Sequence, residues 1–306
     1  MAELDLDSIL EFTIQLAREA GAMIKNGQER RFASGASEDQ KLNSVDLVTE
    51  VDKDVEKFIT EKIMAAYPDH KFIGEETYHG QELTDDPTWI ADLRSPIDGT
   101  TNFVHGFPMV CTSIGLAVKG MPVVGVVYNP FLEQLFSAAK GRGACLNQGT
   151  TLPCTGDRPL ASLGEALIIA DFGSRRSNPQ YKSKMDTMYI VGATPEIGGK
   201  MAHSVRILGS AALSICYVAA GMSDTYWEIG CWPWDVCAGI CILHEAGGAA
   251  FGTKSRPLDG TVDKEMLMGR KYFVIRHISP TETETTFEAQ QRLAKEFLDC
   301  TDDFDP

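Results

Sequence analysis

The chain has 306 residues, 43% hydrophobic and 23% charged, which is ordinary for a globular enzyme and enough to bury a sizeable core without covalent staples. A formal net charge of -15 argues against nucleic acid or an anionic membrane as partner, and a phosphate substrate would be repelled at long range unless bound cations reverse the field locally. The opening Met-Ala-Glu-Leu-Asp-Leu-Asp has neither the basic start nor the apolar stretch of a secretory signal, and no apolar run is long enough to span a bilayer, so a soluble, cytoplasmic protein is expected.

In chain order, residues 6–24 place Ile9, Phe12, Leu16, Ala20 and Met23 on one face and predict an amphipathic helix. A polar stretch over 33–44 follows. Asp46-Leu47-Val48-Thr49 then leads into a second helix with Val51, Val55, Phe58 and Ile59 on its inner face, ended by Pro68. From 109 to 147 the pattern changes to short apolar runs broken at Lys119-Gly120, Asn129-Pro130 and Lys140-Gly141-Arg142-Gly143, which predicts an antiparallel meander. Strands are predicted at 166–170, 225–228 and 272–275. Helices are predicted at 210–220, at 236–245 before the Gly247-Gly248 pair, and at 282–298. Antiparallel strands in the first half and alternating strands and helices in the second give an α+β class with stacked sheet and helix layers.

Cysteine usage agrees with a reducing compartment. Cys111, Cys145, Cys154, Cys216, Cys231, Cys237, Cys241 and Cys300 sit mostly in apolar segments. Cys237 and Cys241 are one helical turn apart but lack nearby partners for a zinc site, so reduced, buried thiols are expected.

Four segments place a carboxylate at the end of an apolar run, where a strand or helix would hold it rigidly. They are Gly74-Glu75-Glu76, Pro96-Ile97-Asp98-Gly99-Thr100-Thr101-Asn102-Phe103, Asp46-Leu47-Val48-Thr49 leading to Asp52, and Trp234-Asp235 opening a run that ends Glu245-Ala246-Gly247-Gly248. Convergence of Glu75, Asp98, Asp235 and Asp52 would demand a cation. Two carboxylates ~4 Å apart repel by roughly 4 kcal/mol at an effective dielectric of 20, and several together must take up protons or bind metal. All these donors are hard oxygens, which points to Mg2+ rather than zinc.

These segments, in this order, resemble the inositol monophosphatase family of magnesium-dependent, lithium-inhibited phosphatases over nearly the whole chain. Gly-Glu-Glu alone is a weak signal, whereas Pro-Ile-Asp-Gly-Thr-Thr-Asn-Phe with a later Trp-Asp and Glu-Ala-Gly-Gly is strong. The resemblance implies a layered α-β-α-β-α fold, one domain over 6–299 with halves meeting near 156, and a homodimer. It implies metal binding by Glu75, Asp98, the Ile97 carbonyl and Asp235. It pairs Thr100 with Asp52 to activate water, places the phosphate at the backbone of Gly99, Thr100 and Thr101, and sets Glu228, Asp235 and the Gly209-Ser210-Ala211 backbone against substrate hydroxyls, with Glu228 as the discriminating residue. The substrate so implied is a small phosphorylated polyol, attacked directly by water with no phosphoenzyme.

One departure bears on activity. The family pattern is Trp-Ile-X-Asp-Pro-Ile-Asp, whereas this chain reads Trp89-Ile90-Ala91-Asp92-Leu93-Arg94-Ser95-Pro96-Ile97-Asp98. If Leu93-Arg94-Ser95 bulges out, Asp92 completes the metal site. If register follows Pro96, Ser95 stands in that position and weakens it. The chain also looks somewhat like variants found beside fungal quinate-use genes through Trp232-Pro233-Trp234-Asp235, so a catalytically weak, metabolite-binding regulator is the rival reading, alongside the same chemistry on another small phosphate ester. Asp235 is also a good helix N-terminal residue, Glu245 reads as structural, and Trp232 and Trp234 read as cleft wall.

Overall fold

The first helix forms because its apolar stripe has a sheet to cover. Ile9, Leu16, Ala17, Ala20 and Ile24 are all buried in α1 (Leu6–Ser34). This is a computed structural model, and it describes residues 4–34, 39–40, 47–48, 50–74, 78, 80, 82–91 and 98–306. The stripe stops at Ile24, yet the helix continues to Ser34, beyond the end predicted from periodicity. Tertiary contacts carry the extension. Gly27 lies so close to Val51 that a Cβ there would stand 2.5 Å from its Cγ1, and the Gln28 Nε2 donates to the Phe103 carbonyl at 2.8 Å.

A two-stranded antiparallel pair, β1 (Asp39–Gln40) and β2 (Leu47–Val48), precedes α2 (Glu50–Ala66), whose Val55, Ile59 and Ile63 are buried. Then come β3 (Lys71–Ile73), β4 (Thr88–Ala91), α3 (Thr100–His105), β5 (Thr112–Val118), β6 (Met121–Asn129), β7 (Gln134–Ala139), β8 (Ala144–Leu146) and β9 (Thr150–Thr151). Among the described residues these strands form a seven-stranded sheet in sequential order, with β3 parallel to β4 and the rest antiparallel. The predicted meander is its β5 to β8 portion. Glu245 proves structural there: its carboxylate accepts the Gly141, Arg142 and Gly143 amides at 2.9, 3.1 and 2.8 Å and pins the β7–β8 turn.

The second half contains β10 (Leu167–Ala170), α4 (Gln180–Gly192), β11 (Ser204–Arg206), α5 (Ala211–Ala219), β12 (Thr225–Ile229), α6 (Pro233–Glu245), β13 (Ala249–Phe251), α7 (Lys264–Met268), β14 (Lys271–Ile275) and α8 (Thr286–Leu298). Its strands are ordered β11-β10-β12-β14-β13, parallel across the first three and antiparallel thereafter. Periodicity did not predict α4, because that helix lacks an apolar stripe; its buried residues are Lys184, Thr187 and Val191. Helix α8 begins at Thr286 rather than 282, where Thr285 and Glu288 form a reciprocal cap.

Helices α1 and α2 cover the outer face of the large sheet, α5 and α6 lie between the two sheets, and α4 and α8 cover the small sheet from outside. This is the α-β-α-β-α layering. No helix among the described residues is long and apolar enough to cross a membrane. All eight cysteines are free, and five of them are buried.

The central layer depends on glycine. Gly115 of β5 and Gly125 of β6 are directly opposite each other, and helix α6 rests on that bare patch of sheet. A Cβ on Gly125 would stand 2.2 Å from the Ala238 carbonyl oxygen, and one on Gly115 would stand 2.7 Å from Cys237 Sγ. On the other side of α6, a Cβ on Gly239 would meet Ile215 of α5 at 3.0 Å. Because the Gly125 obstacle is helix backbone, it cannot swing aside. Gly125→Ala should therefore lower stability in urea unfolding by about 1–3 kcal/mol. Gly192→Ala, at a position with open space and ordinary φ, should be neutral or stabilising by up to about 1 kcal/mol.

Candidate active site

Both halves contribute to one open cavity of about 410 Å³. From the first half it takes Asp98, Gly99, Thr100, Thr101 and Asn102; from the second, Asp171, Ala211, Glu228, Trp232 and Asp235 are among its lining residues. The structure thus gathers the sequence-predicted Asp98, Gly99, Thr100, Thr101, Ala211, Glu228 and Asp235. Glu75, Asp92 and Ile97 lie outside the described residues, as does the Leu93-Arg94-Ser95 segment.

Asp98 is fixed by backbone bonds to Cys111 in both directions, at 2.8 and 3.1 Å. Its carboxylate reaches across to the start of α5. Oδ2 accepts the Ser210 hydroxyl at 2.7 Å and the Ala212 amide at 2.6 Å, and Oδ1 accepts the Ala211 amide at 3.3 Å. Burial pushes its pKa up to about 6, opposed by the Ser210 hydroxyl and the two amides. Gly99 follows with φ +95, and a Cβ there would be 2.5 Å from the Met109 carbonyl oxygen. The close approach that requires glycine is thus to neighbouring backbone. Asn102 supplies a second cross-link: its Nδ2 donates to the Met109 and Leu208 carbonyls, both at 2.8 Å.

Asp52 is fully buried on the inner side of α2, and the Thr100 hydroxyl donates to its Oδ1 at 3.4 Å. Asp235 sits in the first turn of α6, where its Oδ2 accepts the Trp232 amide at 2.7 Å. The helix thus starts at Pro233 rather than 236, its N-cap is Trp232 rather than Asp235, and Asp235 reaches back to that N-cap amide from inside the first turn while its side chain lines the cavity. Trp232 and Trp234 stack with ring centroids 5.0 Å apart and form part of the wall.

Glu228, at the end of β12, is 3% exposed and forms a short ion pair with Lys184 of α4. Lys184 also donates to the Phe172 carbonyl at 3.3 Å. Burial pushes Glu228 up to about 7 against the opposing pull of Lys184 and with a push from Asp171. Gly173, at φ +68, leaves the space this pair occupies: a Cβ there would be 2.7 Å from Lys184 Nζ. Asp171 accepts the Gly209 amide through Oδ1 at 3.0 Å, and its buried Oδ2 has no hydrogen-bond partner among the described residues. Burial raises the Asp171 pKa as well.

Sequence reasoning missed Lys184, Asp171 and Asn102. Asp171 ends the apolar run 167–170, so the pattern that selected the other carboxylates applies to it equally. Asn102 was quoted only as part of its motif. Nothing local distinguishes Lys184 from the solvated lysines around it, since its partner is 44 residues away in sequence.

The donor set suits a hard divalent cation. Asp98 and Asp235 bring only oxygens to the cavity, and the buried, unpartnered Asp171 Oδ2 adds another acceptor in its wall. Among the described residues no three His, Cys, Asp or Glu side chains cluster tightly enough to hold an ion.

Comparison with known proteins follows the same lines. Residues 5–295 match the Inositol monophosphatase family. The chain is 48% identical to inositol monophosphatase 2 of Saccharomyces cerevisiae, over 81% of this chain and 82% of that protein. It is 39% identical to quinic acid degradation cluster protein x of Neurospora crassa, over 95% and 93% respectively. Among solved structures, inositol monophosphatase II of Staphylococcus aureus with inositol monophosphate bound superposes with a TM-score of 0.66 at 27% identity, covering 95% of this chain and 94% of that one. With the layered fold, the shared cleft and these likenesses in agreement, the chain belongs to the inositol monophosphatase family.

Proposed function

We propose that this protein is a magnesium-dependent phosphomonoesterase that hydrolyses inositol monophosphate or a similar small polyol phosphate to the free alcohol and phosphate. The observation that carries the reading is the single cleft that gathers Asp98, Thr100 and Asp235 with Ala211 and Glu228 from the opposite half. Family membership and the inositol monophosphate bound to the staphylococcal relative support it.

In this reading Glu75, Asp92, the Ile97 carbonyl, Asp98 and Asp235 hold Mg2+, which when bound activates water and neutralises charge on the phosphate and its leaving oxygen. The Thr100 hydroxyl, already donating to Asp52, is the group that passes the water's proton toward that carboxylate. Asp52 is suited to receive it because it is buried and held on a helix. Glu228 accepts a substrate hydroxyl, and Lys184 orients it and favours its ionised form against the effect of burial. A substrate lacking that hydroxyl leaves a buried acceptor unpaired, which is the physical basis of discrimination. The expected assembly is a homodimer.

The Leu93-Arg94-Ser95 insertion motivates a second reading, a weakly catalytic, metabolite-binding regulator, in a chain that is also similar to a quinic acid degradation cluster protein. Phosphate release from inositol 1-phosphate across a magnesium titration separates the two. Release that depends on magnesium and falls at least about a hundredfold in Asp98→Asn is expected, since even outer partners of metal ligands are worth roughly 10–100-fold. A folded protein that releases no phosphate from inositol 1-phosphate or related sugar phosphates would favour the regulator.

Lys184→Met should cost about 3–5 kcal/mol of folding stability, because it strands a buried carboxylate. The pH profile gives the sign. A nearby cation favours the ionised carboxylate, so its removal raises the Glu228 pKa, and the acid limb of kcat/KM should move to higher pH by about one unit or more. Lys184→Arg should restore most of the profile. An acid limb that stays in place in a folded Lys184→Met protein would rule out the orienting role.

A further inference from the structure

Four cationic side chains line the cleft beside its four described carboxylates, Asp98, Asp171, Glu228 and Asp235. In a chain of net charge -15, Arg175, Arg176, Lys184 and Arg270 all line the same cavity. Two of the four are already committed. Lys184 is paired with Glu228. Arg176 donates through Nε to the Gly173 carbonyl at 2.7 Å and lies over the Phe172 ring.

Arg270 is held in a similar way but is half-buried, where Arg176 is exposed. Its guanidinium lies 3.6 Å from the centre of the Trp232 ring, and Nη2 donates to the Gly230 carbonyl, so the group is held in one orientation. Among the described residues its buried Nε has no hydrogen-bond partner, and neither Arg270 nor Arg175 has an ion pair with a carboxylate. Arg175 is close enough to weaken the charged form of Arg270, in addition to the larger effect of burial. The Asp235 carboxylate is near enough to favour the charged form of Arg270, but among the described residues neither guanidinium is ion-paired; the two repel each other, and an anionic ligand group between them converts that repulsion into charge-assisted hydrogen bonds.

We propose that the substrate carries a second anionic group, a carboxylate or a further phosphate, which binds between Arg175 and Arg270 beside the Trp232 wall. The ester phosphate stays with Asp98, Asp235 and Thr100, as the hydrolase reading requires, and this inference rests on that reading. A neutral polyol phosphate leaves both arginines without an anionic partner.

The test compares phosphate release from inositol 1-phosphate, inositol 1,4-bisphosphate and 6-phosphogluconate at fixed free magnesium and ionic strength. We expect kcat/KM at least about tenfold higher for one of the doubly anionic esters, expressed mainly in KM. The advantage should fall to about one in Arg175→Ala/Arg270→Gln and be largely retained in Arg270→Lys, which keeps the charge. A wild-type ratio near or below one, or a ratio unchanged in the folded double variant, overturns the second-anion site while leaving the hydrolase reading intact. Failure to release phosphate from any of the three overturns the hydrolase reading. Calorimetric binding of 6-phosphogluconate against inositol 1-phosphate then decides the second-anion site by the same ratio and the same variants.

Discussion

The structure depends on the close approach of α6 to the large sheet. Opposed Gly115 and Gly125 remove the side chains that would otherwise hold the helix away, and Gly239 lets α5 approach from the other side. A helix packed through backbone and short side chains has little freedom to slide, because interiors are close-packed and every displacement opens a void or a clash. The first turn of that helix carries Asp235, and the start of α5 carries Ser210 and Ala211. The geometry of the cleft is therefore inherited from core packing at a distance from it.

The second constraint is polar. Asp98 crosses from one half to the amides and hydroxyl at the start of α5, and Asn102 crosses to the Leu208 carbonyl beside them. Both belong to the motif that gave the clearest functional signal in the sequence. Part of what that motif specifies is thus mechanical. Gly99 serves the same purpose, since its φ +95 and the Met109 carbonyl beneath it leave no room for a side chain. A residue can line the cleft and hold the halves in register at once, and Asp235 does so by accepting the N-cap amide of its own helix while facing the cavity.

Buried charge is arranged along the floor and wall of the cleft. The Lys184–Glu228 pair is nearly inaccessible to solvent, so each charge is worth keeping only while the other is present. Among the described residues, Asp171 adds a carboxylate with one oxygen unpartnered, and Arg270 a guanidinium with one nitrogen unpartnered. Such groups are costly in an empty core, and here they border a cavity where a ligand can satisfy the site as a whole.

Periodicity in the sequence determined the helices with one apolar face, the meander and the small-residue central helices, because each pattern answers to a single neighbouring layer. The motifs, through the family they resemble, picked out Asp98, Gly99, Thr100, Thr101, Ala211, Glu228 and Asp235 among the residues that line the cleft. The rest required the tertiary structure. The extension of α1 past Ile24 rests on Gly27, Gln28 and their contacts with Val51 and Phe103, and α4 carries no stripe because its inner face buries a lysine. The pairing of Lys184 with Glu228, the free valence of Asp171 and the company of Arg175 and Arg270 are likewise products of folding. Local sequence encodes which face of an element is apolar, but a charge becomes meaningful only when the fold decides which opposite or like charge it must face, and that partner is tens of residues away.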